Sequence, residues 1–101
     1  MRFEYQGNVK LSDPQARELV EKLAAHPGWK LVAREERRVS FLFPKVHETH
    51  WKEHFYVKIR PDGSIFLMFN GAEPEQEESV RQAIAAALQK MGTIGLQFEE
   101  A

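Results

Sequence analysis

A chain of 101 residues, 43% hydrophobic and 29% charged with 6 Gly and 5 Pro, has the composition of an ordered domain that can bury one core without a disulfide or a structural metal. It contains no cysteine, which excludes disulfides, thiolate metal sites and thiol nucleophiles. The opening stretch MRFEYQGNVKLSD has no uninterrupted apolar block, so no signal peptide or membrane span is expected, and a cytoplasmic protein forming one domain over residues 1–101 is the expectation.

Phe3 and Tyr5 alternate with polar neighbours and predict a short strand closed by Gly7-Asn8. In the following LSDPQARELVEKLAAHPG, Asp13-Pro14 offers an N-cap and a first-turn proline, and Ser12 with Gln15 offers an overlapping capping box. Ala16, Leu19, Val20, Leu23 and Ala24 fall on one helical stripe that Pro27-Gly28 ends.

Trp29, Leu31 and Ala33 alternate, as do Val39, Phe41 and Phe43, around the charged Glu35–Arg38. This pattern predicts a β-hairpin with Val32 and Leu42 on its opposite face. Phe55, Val57 and Ile59 then alternate up to Arg60-Pro61-Asp62-Gly63, a turn in which Pro sets φ and Gly takes the left-handed position. A return strand over residues 64–69 would place Lys58 opposite Phe66 and Tyr56 opposite Met68. Pro74, an acidic first turn and the stripe Val80, Ala83, Ile84, Ala87, Leu88 and Met91 predict a second helix stopped by Gly92. Ile94, Leu96 and Phe98 predict a last strand before an acidic tail.

The order β-α-β-β-β-β-α-β predicts an α+β two-layer sandwich: a mainly antiparallel sheet of five or six strands with two singly striped helices on one face. Charge is unevenly spread over a net charge of -1. Residues 30–60 carry eight basic against four acidic residues, giving +4, and residues 61–101 carry two against seven, giving -5. Such asymmetry suits a nucleic-acid surface or two solvated faces of one domain that attract each other.

KVHETHWKEH holds His47, His50 and His54 at i, i+3 and i+7, a spacing that could converge on zinc from a helix. The preceding Pro44 and the strand that follows oppose a helix there, and on a strand His50 and His54 would lie about 13 Å apart. The sequence has no HExxH motif, no cysteine pair, no phosphate loop and no nucleophile elbow. Solvated loop histidines are therefore the expectation, with no metal, no cofactor and no catalytic role.

The sheet face opposite the helices is more informative. It is expected to carry Val32, Leu42, Tyr56, Phe66 and Met68, interleaved with Lys30, Arg34, Lys52, His54 and Lys58, with the contact centred on Tyr56, Phe66, Met68, Lys58, Arg34 and Leu42. Aromatics and Met flanked by basic residues are the types enriched at protein interfaces, so the expected function is binding of a protein partner or of a second copy as a homo-oligomer. Single-stranded nucleic acid stacking on Tyr56 and Phe66, though HFYVKI and SIFLMF lack an aromatic-glycine ribonucleoprotein pattern, and a His-based metal site are the alternatives.

Overall fold

The computed structural model describes residues 3–44 and 51–101. Its elements follow the expected order: β1 (Glu4–Lys10), α1 (Asp13–Ala24), β2 (Lys30–Arg34), β3 (Arg38–Leu42), β4 (Phe55–Ile59), β5 (Ser64–Phe69), α2 (Pro74–Lys90) and β6 (Phe98–Glu100). The strands form a six-stranded sheet in the order β2-β3-β4-β5-β1-β6, with every neighbouring pair antiparallel.

Strand alternation divides the sheet into two faces. Val39, Phe41, Phe55, Val57, Ile59, Ile65, Leu67 and Phe69 are buried in one cluster with Ala16, Leu19, Val20 and Leu23 of α1 and with Val80, Ile84 and Leu88 of α2. Both helices therefore cover the same side, giving an α+β two-layer sandwich. Phe41, Phe55 and Phe69 are almost fully enclosed, each contributing roughly 2–3 kcal/mol through burial. Trp29 closes the core beyond them, its ring 5.2 Å from Phe41 and 5.0 Å from Phe55.

Local chemistry explains the element ends. Ser12, not Asp13, is the N-cap of α1, because its hydroxyl accepts from the Gln15 N–H while the Gln15 side chain accepts from the Ser12 N–H. The hairpin β4-β5 has the expected register, including Lys58 opposite Phe66 and Tyr56 opposite Met68. Gly63 closes it at φ +89, where an added Cβ would stand 2.2 Å from the Leu11 carbonyl oxygen. No other residue type fits both the space and the dihedral.

The two terminal strands differ from expectation. The first strand does not close at Gly7-Asn8 but runs to Lys10. Gly7 lies within it because a Cβ there would come within 2.9 Å of Leu96 Cδ1. Asn8 does not turn the chain; its Oδ1 accepts from the Gln97 N–H and its Nδ2 donates to the Gly95 carbonyl. The last strand begins at Phe98, not Ile94, which is 77% exposed. Gly95 takes φ +84, a left-handed turn that delays extended pairing.

Candidate functional site

Side chains on the helix-free face follow from the cross-strand register. One row across the sheet reads Ala33, Ser40, Tyr56, Met68 and Glu4, and the next reads Arg38, Lys58, Phe66, Gln6 and Glu99. Leu42 faces Lys30 at the margin of the same face. Tyr56, Phe66, Met68 and Leu42 are half-buried and Lys58 is exposed. Of the six residues expected to form the contact, five are thus brought onto this face.

Arg34 is the exception. Leu31 pairs with Phe41 but Ala33 pairs with Ser40, so Val32 is an extra residue and the side-chain alternation of β2 reverses there. Arg34 consequently lies opposite Val39, on the helix side. It lines an open groove there with Arg17 and Glu21 of α1. Val32, the extra residue itself, is 43% exposed at this sheet edge.

Two residues that sequence reasoning assigned to turns belong to the face. The Arg38 guanidinium lies 4.2 Å from the Tyr56 ring centre and its Nη2 is 2.7 Å from Glu53 Oε1. The Arg60 guanidinium lies 4.5 Å from the Phe66 ring centre, and its Nη1 donates to Gln6 Oε1 at 3.3 Å. Continuing the alternation Leu42-Ser40-Arg38 and Tyr56-Lys58-Arg60 would have found both. Arg38 sits directly opposite Lys58, an arrangement of like charges that disfavours the pair; the Arg38 side chain instead packs on Tyr56 and pairs with Glu53.

Charges of both signs are spread over the face: Lys30, Lys58 and Arg38, the last paired with Glu53, stand on the β2 to β4 side, and Glu4, Glu99 and Lys10, which lies opposite Ser64, stand on β1 and β6 with Arg60 reaching Gln6. Lys58, Glu4 and Glu99 have no ion pair among the described residues. The Ser40 hydroxyl is buried on this side without a hydrogen-bond partner among the described residues.

The histidines divide. His47 and His50 lie outside the described residues. His54 is not a solvated loop side chain: it is 4% exposed, its ring stacks on Phe43 at 5.4 Å, and its Nδ1 accepts from the Phe43 N–H at 2.9 Å. The bond satisfies a backbone donor just past the end of β3 and places the neutral ring's proton on Nε2. Burial holds His54 below the ordinary histidine value. Among the described residues no group of three His, Asp or Glu side chains is placed to hold a metal ion, and no helix is long and apolar enough to cross a membrane.

Compared with known proteins, the chain matches no family model, no curated protein and no solved structure. The chemistry of the face is therefore the basis for assigning a role.

Proposed function

We propose that this protein is a small non-enzymatic binding domain that docks a protein partner on the helix-free face of its sheet. The observation that carries the reading is the contiguous set Tyr56, Met68 and Phe66, joined across β4 and β5 and only half-covered, with charged residues around it. An apolar and aromatic centre inside a polar rim is the layout in which a few residues supply most of a contact's affinity. Lys58 and Arg38 on that rim would act on orientation and on-rate more than on affinity.

Nucleic acid is the weaker reading on the same ground. Arg38 and Arg60 each occupy one face of an aromatic ring, so a base stacking there would have to displace a guanidinium. A protein surface can instead bury the Arg-aromatic pairs as they stand. His54 serves the fold instead, its buried ring accepting from the Phe43 N–H.

The test is photo-crosslinking in a cell extract with a photoreactive phenylalanine analogue at Phe66 or, as a control, at exposed Gln82 of α2. Protein adducts are expected from position 66 alone and are expected to vanish in a Tyr56→Ser/Met68→Ser background. Equal yields at both positions, or adducts of nucleic acid that disappear with moderate salt, would overturn the reading.

A further inference from the structure

Resting on the reading that the helix-free face docks a protein, we infer that His54 makes docking acid-sensitive. Neutral, its ring is stowed at the end of the sheet; protonated, it swings out beside Leu42 and Tyr56 and obstructs the face. Continuing the cross-strand register by one residue sets His54 between Leu42 of β3 and Asn70, just past β5. By alternation its side chain belongs to the same side of β4 as Tyr56. Yet the ring is 4% exposed, stacks on Phe43 at 5.4 Å and accepts from the Phe43 N–H at 2.9 Å.

The stowed position holds only the neutral ring. Its one acceptor, Nδ1, already faces the Phe43 N–H, so a second proton there would set one donor against another. Burial adds to the penalty and holds His54 below the ordinary histidine value. The backbone cannot follow the ring, because the His54 N–H donates to the Phe41 carbonyl at 2.8 Å and its carbonyl accepts from the Asn70 N–H at 2.7 Å. Relief therefore comes from the side chain, and the alternation of β4 directs it onto the helix-free face. Lys30 of β2, Arg38 of β3 and Lys58 of β4 are the cations on that side, with Lys52 and Glu53 preceding His54 in the chain. Glu53 is committed to Arg38 at 2.7 Å, and Glu4 stands two strands away on β1. Both helices pack on the opposite side.

An imidazolium against Leu42 and Tyr56 places a charge at the apolar centre, which a docked protein must either desolvate or displace. The partner therefore favours the neutral ring. Docking is complete above the folded-state value of His54 in the free protein and weakens as pH falls below it.

Two measurements between about pH 7.5 and about pH 5 test the inference. In nuclear magnetic resonance of the purified full chain, the Phe43 amide, the Leu42 methyls and the Tyr56 ring are expected to titrate together with the His54 imidazole, while circular dichroism shows the sheet intact. In a cell extract, the yield of protein crosslinks from position 66 is expected to fall several-fold over the same range with His54 in place. It is expected to hold in His54→Gln, whose amide oxygen still accepts from the Phe43 N–H but takes no proton. If that variant does not fold, the titration of the unsubstituted chain decides. Leu42 and Tyr56 signals indifferent to the His54 titration, or global unfolding across the range, overturn the inference and leave the docking face standing. A crosslink yield unmoved by acid, or lost equally in a folded His54→Gln, does the same. An absence of protein adducts from position 66 even at the upper pH sinks the docking reading itself, and the inference with it.

Discussion

Tyr5→Phe is the most revealing single change to the scaffold, because it tests how α2 is held against the sheet. The Tyr5 hydroxyl on β1 donates to Glu77 Oε1 of α2 at 2.6 Å, and Glu77 is 6% exposed. Arg81 forms an ion pair with this carboxylate, with Nη1 at 3.7 Å, and its guanidinium lies 4.7 Å over the Tyr5 ring. Phenylalanine keeps the ring and the cation above it but leaves the buried carboxylate short of a donor. A hydrogen bond to a charged group contributes roughly 1.5–3 kcal/mol, and the remaining Arg81 argues for the lower end. Taking about 1.5 kcal/mol and about 4–8 °C per kcal/mol for a domain of this size, thermal denaturation should show a Tm lower by about 6–12 °C. Tyr5→Phe combined with Glu77→Gln should cost less than the sum of the two single changes, because the uncompensated charge is gone. The Glu77 bond, and then burial, also hold the Tyr5 hydroxyl above its ordinary value of 10. Its contribution is complete below pH 10 and is lost as pH rises through the folded-state value, a loss that the variant should lack. A Tm within about 2 °C of wild type, or strictly additive changes, would refute the anchoring role given to this pair.

Three other outcomes are expected. Urea melts between pH 7.5 and 5 should reveal an acid loss in wild type, because burial depresses both His54 and His26 in the folded state. Their contribution is complete above the unfolded value of 6.5 and falls as pH drops through the folded values, and His54→Gln should reduce that loss. Gly63→Ala should destabilise by about 2–3 kcal/mol in denaturant titrations, since φ +89 and the Leu11 carbonyl 2.2 Å from the new Cβ must both be accommodated. Ser12→Ala should cost about 1 kcal/mol on thermal melting, with Asp13→Ala costing less, because the Ser12 hydroxyl is the cap.

Much of this architecture is legible in the sequence wherever one period dominates. The stripe from Ala16 to Ala24, the alternation through Phe55, Val57 and Ile59, and the Pro-Asp-Gly turn each have one physical solution, and the register Tyr56 to Met68 follows from them. What could not be read are features set by tertiary contact. The extra residue at Val32 reverses the alternation of β2 and moves Arg34 to the helix side, yet Lys-Leu-Val-Ala-Arg carries no glycine to announce it. Gly7 and Asn8 look like a turn, but the close passage of Leu96 and the hydrogen bonds to Gly95 and Gln97 make them strand residues. His54 reads as a loop histidine because nothing local reveals the Phe43 N–H that needs an acceptor. On the open face, Arg38 and Arg60 were hidden by their closeness to turns, although each continues the alternation of a strand.

The proposed role makes the reverse of the sheet a surface on which a protein rests. Methionine oxidation by dilute peroxide measures this without any substitution, because Met68 lies on that face and Met91, equally half-buried, caps α2 on the other side. In a cell extract, compared with dilute purified protein, Met68 should be oxidised several-fold more slowly while the rate at Met91 is unchanged. Equal rates for Met68 in the two settings, or protection of Met91 instead, would contradict the account.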